Sequence, residues 1–200
     1  MRYNATPLLY CRMANGSGVL LTTTFMLMRR LFVFLLFSIS LSFSSCHTKT
    51  PLFELYREVN FSFPAGLDQY LTHHIIIRDI PSNLKARLSE RGLEIADIKE
   101  FYAGRGKIIS VFNEADFGII DKISIWIFKK GEYDNAKEIY YRDEVPYHLP
   151  GEIKLLSTGE DVRDILMNDK YNMDIEVKFR NYLTETIDCR FPFSFVAYSE

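Results

Sequence analysis

Residues 171–180 read Tyr171-Asn172-Met173-Asp174-Ile175-Glu176-Val177-Lys178-Phe179-Arg180, apolar and polar in unbroken alternation over ten positions. A period of two puts every apolar side chain on one face of an extended strand and every polar one on the other. The stretch therefore predicts a strand with one buried and one wet face. A second run follows at once, with Ile187, Cys189, Phe191, Phe193 and Phe195 interleaved by Asp188, Arg190, Pro192 and Ser194. Only Asn181 to Thr186 separate the two, so they are expected to pair as an antiparallel hairpin.

The same signature recurs towards the N-terminus. Phe53, Leu55, Val59, Phe61 and Phe63 share one parity, with Arg57 the single interruption, and Ile123, Ile125 and Ile127 share another, with Trp126 and Phe128 on the reverse face. Shorter candidates lie at 72–80, 95–101, 107–112, 137–141 and 152–156, with turn signals at Gly104-Arg105-Gly106 and from Lys130-Gly131 to Asn135. Two short helices interrupt the pattern. One runs from Pro81 to Arg91, carries Leu84 and Leu88 on one stripe and stops at Gly92. The other is announced by the capping-box spacing Ser157-Thr158-Gly159-Glu160 and continues through Val162, Ile165 and Leu166. Many short strands with turn punctuation predict a mainly β fold, an Ig-like antiparallel β-sandwich with two short helices, occupying residues 53–200 as one domain. A domain of this size buries about 68–70% of its unfolded surface, enough for one core without staples.

The first 45 residues read differently. They hold four of the 24 basic residues (Arg2, Arg12, Arg29, Arg30) and none of the 26 acidic ones. From Met28 the chain runs MRRLFVFLLFSISLSFSSC: two arginines, an apolar run from Leu31 to Leu41 broken by Ser38 and Ser40, then small residues and Cys46. That is the layout of a secretory signal, expected to be helical, and its apolar run is well short of the ~20 residues that span a bilayer. Its ending Phe43-Ser44-Ser45-Cys46 resembles the lipobox of bacterial lipoproteins, departing at Phe43 from the usual Leu. The resemblance implies a diacylglyceryl thioether on Cys46, with 28–45 removed as a lipoprotein signal peptide and palmitate-type acyl chains as the anchor. Residues 1–27 are then an upstream extension, with translation beginning at Met28. His47-Thr48-Lys49-Thr50-Pro51 reads as part of a polar tether over 46–52. His47 stands where the common inner-membrane sorting pattern has Asp, so that resemblance favours the outer membrane. The absence of an acidic run favours its periplasmic face.

The remaining 155 residues carry 20 basic against 26 acidic residues, about −6, which argues against a nucleic-acid partner held by phosphate neutralisation. Of three cysteines, Cys11 and Cys46 belong to the leader and Cys189 stands alone, so no internal disulfide is expected. Its parity with Phe191 and Phe193 marks it as a small core residue. His73 and His74 are neighbours on a predicted strand and point to opposite faces, which removes the most tempting metal pair. His73 is expected to be semi-buried with one hydrogen bond. Acidic pairs occur at Glu114/Asp116, Asp143/Glu144, Glu160/Asp161 and Asp169/Asp174, none with calcium-loop spacing. No nucleophile elbow, zinc-protease helix, phosphate loop, dinucleotide fingerprint or paired-cysteine motif is present. No catalytic residue, metal ligand or cofactor is assigned. The candidate binding surface is the tyrosine-rich stretch containing Tyr140, Tyr141, Arg142, Tyr147 and His148, a composition suited to sugar rings or a protein partner.

Four further stretches, Phe61 to Leu67, Thr72-His73-His74 with Arg78-Asp79-Ile80-Pro81, Tyr141 to Pro146, and Phe179-Arg180-Asn181-Tyr182 on to Phe195, resemble a family of uncharacterised bacterial envelope lipoproteins. The family carries no established activity, so the resemblance implies fold and address alone. The sequence thus points to a lipid-anchored envelope protein acting as a non-catalytic binding or scaffolding module, with a membrane contact through the anchor and an envelope protein or glycan as partner. The alternatives are an envelope polysaccharide hydrolase using a carboxylate pair, or a structural subunit of an outer-membrane complex.

Overall fold

The computed structural model describes residues 49–112 and 115–199. The upstream extension, the signal segment and Cys46 lie outside the described residues. Eight strands form one curled antiparallel sheet: β1 (Pro51–Phe63), β2 (Thr72–Pro81), β3 (Glu100–Ser110), β4 (Ile120–Phe128), β5 (Lys137–Arg142), β6 (Glu152–Ser157), β7 (Lys170–Phe179) and β8 (Ile187–Tyr198). Their order across the sheet is β1-β8-β3-β6-β5-β4-β7-β2. The fold is therefore mainly β, with two short helices, α1 (Leu84–Arg91) and α2 (Arg163–Leu166).

Alternation decides which side chains enter the core. Tyr171, Met173, Ile175, Val177 and Phe179 of β7, Ile123, Ile125 and Ile127 of β4, and Cys189, Phe191, Phe193, Phe195 and Ala197 of β8 are all buried on the concave face. Rings meet across the interior from strands far apart in the sheet: Phe63 with Phe179 at 5.6 Å, Tyr140 with Phe191 at 5.7 Å and Tyr171 with Phe195 at 6.4 Å between centroids, each near perpendicular.

The expected β7/β8 hairpin does not form. β7 lies between β2 and β4, and β8 between β1 and β3. Both are central strands whose neighbours cover them on two sides, and their connection spans the sheet's open seam instead of turning back. It is fastened to the β1–β2 connection by Gly66 N–H donating to Leu183 O at 2.8 Å and Leu183 N–H donating to Leu67 O at 2.9 Å. Seven extended residues reach roughly 23 Å, several strand spacings, so shortness did not require a hairpin.

Gly104-Arg105-Gly106 is likewise no turn. β3 runs straight through it, with a register shift against β8 between Ala103 and Gly106. Both glycines answer close approach: a Cβ on Gly104 would lie 2.5 Å from Ser194 Oγ, and one on Gly106 2.9 Å from the Tyr140 ring. The capping box at Ser157 does not form either, because Ser157 closes β6. Asp161 takes the role instead, its Oδ1 accepting from Arg163 N–H at 3.0 Å and Phe101 N–H at 2.9 Å. Helix α1 begins at Leu84, after Pro81 has finished β2 opposite Lys170, and ends at Gly92 with φ 65° as the pattern predicts.

The outer face of β7 is not wholly wet. Asn172 and Asp174 are buried because the connection after β4 folds back over them, with Tyr133 packed edge-on against Phe128 at 4.9 Å.

Candidate functional site

The tyrosine-rich surface is divided by the fold. Tyr140 faces the core and is 0% exposed, with its hydroxyl donating to Ser194 O at 2.8 Å, so it leaves the candidate surface. Tyr141 and Arg142 are half-buried at the end of β5, and Tyr147 and His148 stand out on the following loop. That loop is rigidly seated. Asp116 Oδ1 accepts from Gly118 N–H at 2.9 Å and Leu149 N–H at 2.7 Å, while Oδ2 lies 2.6 Å from His148 Nδ1. The two backbone donors, helped by His148, hold the Asp116 carboxyl below its ordinary range. Arg180 crosses beneath, donating to Gly118 O at 2.8 Å and to Val145 O, and its guanidinium sits 4.4 Å from the centre of the Tyr147 ring. Tyr147, 86% exposed, therefore shows one face to Arg180 and is otherwise free of the body.

The larger concavity lies elsewhere, and nothing in the sequence pattern named it. A cleft of ≈ 1360 Å³ is bounded by Tyr56–Asn60 of β1, Ile77–Pro81 of β2, Gly104–Lys107 of β3, Lys154–Ser157 of β6 and the Pro192–Phe193 step of β8. It follows from the sheet's curl: β1 and β2 are the two edges, and they share no ladder pairs. The register row Arg57, Phe193, Gly106 and Leu155 crosses four strands at its level. Gly106 has no side chain, and the Tyr140 ring packs where its Cβ would lie.

Arg57 is the one interruption of the apolar parity of β1, and it faces inward beside Leu55 and Val59. Its guanidinium donates to Ser82 O, while its buried Nε–H has no partner. Among the described residues no carboxylate lies within 4.0 Å of it, and burial lowers its pKa from the ordinary arginine value. The Tyr171 hydroxyl, on β7 opposite Ile80, is also buried without a partner, and burial raises its pKa against the opposing influence of Arg57. The signal for this site was Arg57 itself, an inward-parity charge in an otherwise apolar strand.

The other candidates settle into local roles. His73 is part-buried with Nε2 2.8 Å from Asp68 O, as its parity predicts, and His74 points outward to Asp174, Nδ1 to Oδ2 at 2.9 Å. Asp174 Oδ2 also accepts from the Tyr133 hydroxyl at 2.6 Å, which raises that phenol's pKa to about 12. Asp169 pairs with Lys85 at 2.8 Å, and Asp161 caps α2. Glu114 lies outside the described residues. Cys189 is buried and free, and no cluster of three metal-ligating side chains occurs among the described residues. No helix among them is long and apolar enough to cross a membrane.

No protein-family model matches the chain, and no match to a curated protein reaches significance.

Proposed function

We propose that the protein is a lipid-anchored, non-catalytic binding module of the cell envelope whose ligand occupies the cleft at Arg57. The observation that carries this reading is the cleft itself: a concavity of ≈ 1360 Å³ containing a guanidinium with no carboxylate within 4.0 Å among the described residues. Ligand sites are concave and mostly apolar, with a few convergent polar groups that fix orientation. Of the acidic pairs that a hydrolase would need to converge, Asp116, Asp161, Asp169 and Asp174 are instead committed to backbone, lysine or histidine partners.

The address belongs to the same proposal. The signal-like segment ending in Phe43-Ser44-Ser45-Cys46, and the likeness to envelope lipoproteins, support acylation of Cys46 and an outer-membrane, periplasm-facing location. Lys49 docks on Glu100 and Tyr102, β1 opens at Pro51, and in the sequence only His47 and Thr48 stand between Cys46 and Lys49. Three residue steps reach at most about 11 Å, which holds the body against the bilayer surface. The finer fold description, an Ig-like sandwich, rests on the same footing. Its support is the near-division of the sheet into β1-β8-β3-β6 and β5-β4-β7-β2, linked only through Tyr140↔Ser157 and Tyr141↔Leu156, with the facing rings between them. Tyr147 and His148, with Tyr141 and Arg142 beside them, form a second surface suited to an envelope protein or glycan.

The test is a photo-activatable amino acid incorporated at Val59 of the full chain in intact cells. Irradiation is expected to add the mass of a small molecule to the peptide containing residue 59. A protein adduct alone, or none, refutes the cleft as a small-molecule site. Cys46→Ser should release the protein from the membrane fraction, and unchanged fractionation refutes the anchor.

A further inference from the structure

We infer that the cleft takes an amphiphile with a single acidic head group, a carboxylate or a phosphate monoester, whose head pairs with Arg57 while its tail lies along Val59, Ile77, Ile80, Leu155 and Phe193. This rests on the cleft being a binding site and goes on to name the ligand's chemistry. Three observations converge on it.

First, the unmet hydrogen-bonding group at the cleft is a donor. Arg57 Nε–H is buried and, among the described residues, without a partner. An oxyanion accepts from it, whereas a cation does not. An ionised partner is also the strongest remedy for a guanidinium taken out of water.

Second, the charge of the cleft departs from that of the chain. The whole sequence carries −2, yet the residues bounding the cleft include five basic ones (Arg57, Arg78, Arg105, Lys107, Lys154) against two acidic ones, Glu58 and Asp79. Lys107 and Lys154 share Glu152, at 2.8 and 3.8 Å, and Asp79 lies 4.0 Å from Lys130. Arg57, Arg78 and Arg105 have no carboxylate within 4.0 Å among the described residues, so an entering anion is attracted before it reaches the interior.

Third, the inward side chains beyond Arg57 are aliphatic or aromatic. A ligand with charged groups along its length would be stripped of water against Val59, Ile77, Ile80, Leu155 and Phe193, where Arg57 is the one inward-facing cation while Arg78 and Arg105 are exposed. One acidic group on an apolar body matches the inventory.

The experiment uses the full chain reconstituted in phosphatidylcholine vesicles at pH 8. Two diazirine-bearing C16 probes are compared, a fatty acid and its methyl ester, and crosslinked peptides are mapped by mass spectrometry so that any adduct on the Cys46 peptide is set aside. The acid is expected to label peptides of β1, β2 and β8 at least about tenfold more than the ester, the worth of one charge-assisted pair. Arg57→Met should bring acid labelling down to the ester's level, and Arg57→Lys should restore part of it. Competition by unlabelled palmitate against dodecyl phosphate separates a carboxylate ligand from a phosphate one. Equal labelling of the cleft by acid and ester overturns the head-group inference and leaves the binding reading standing. Absence of both probes from the cleft peptides overturns the binding reading with it.

Discussion

Cys189 offers a sharp test of how tightly the core is sealed. Its thiol is 1% exposed on the inward face of β8, and burial, helped by the charge of Asp188, pushes its pKa from an ordinary 9 up to about 12. An acid whose folded pKa is raised stabilises the fold fully below its unfolded value. That contribution is lost as pH rises from 9 towards 12, because the unfolded thiol ionises first. For one group displaced from 9 to about 12, the stability lost between pH 8 and pH 10 comes to about 1.4 kcal/mol. Cys189→Ala removes this dependence and, at every pH, costs about 1 kcal/mol for the vacated sulfur volume. Urea denaturation of the full chain in mild detergent at pH 8, 9 and 10 should therefore show the wild type losing about 1.4 kcal/mol more than the variant. Above pH 10 both proteins should weaken together, as Tyr140 and Tyr171 are also held neutral by burial. Parallel pH profiles up to pH 10 would refute the claim that the thiol is kept from water in the native state.

Two glycines carry further expectations. Gly106→Ala sets a methyl group 2.9 Å from a Tyr140 ring that is pinned by its bond to Ser194 O, so overpacking should cost about 1–3 kcal/mol in denaturant melts, and Tyr140→Leu in the same chain should recover part of it. Gly118→Ala places a methyl 2.0 Å from the Tyr147 carbonyl oxygen, which is backbone and cannot rotate away. The 143–149 loop should lift from its seat and chymotryptic cleavage after Tyr147 should accelerate several-fold, whereas an unchanged cleavage rate would contradict the packing described.

Alternation carried the inner faces because a residue's burial on a strand depends on a period of two that the sequence displays directly. Met173, Ile175, Phe191 and Cys189 all lie where parity puts them. Pairing was less legible, because which strand lies beside which depends on contacts between residues far apart in the chain. The run at 171–180 and the run at 187–195 carry equivalent patterns whether they pair with one another or with β2, β4, β1 and β3. Glycine was ambiguous for a related reason. In Gly104-Arg105-Gly106 the same residues that permit a turn also permit Ser194 and Tyr140 to approach the backbone, and only the partner strand distinguishes the two. Tyr140 shows the corresponding limit for sites: its neighbours Tyr141 and Arg142 are half-exposed, and one step of parity puts it inside.

Arg57 stands at the point where fold and function separate. A sequence selected for core packing alone would place an apolar residue at the fourth inward position of β1 counting back from Phe63, where a guanidinium leaves one N–H unsatisfied. The local hydrogen bond to the carbonyl of the buried Ser82 does not by itself account for the guanidinium, since it leaves the Nε–H without a partner among the described residues. Nor does long-range charge balance, since the cleft already holds more basic than acidic residues and a further cation worsens the repulsion among them. What remains is a role for the charge that the protein by itself does not fulfil. The same curl that keeps β1 and β2 from pairing opens a route from the surface to that guanidinium, and the acidic guest we propose would complete both the defect in the core pattern and the gap in the sheet.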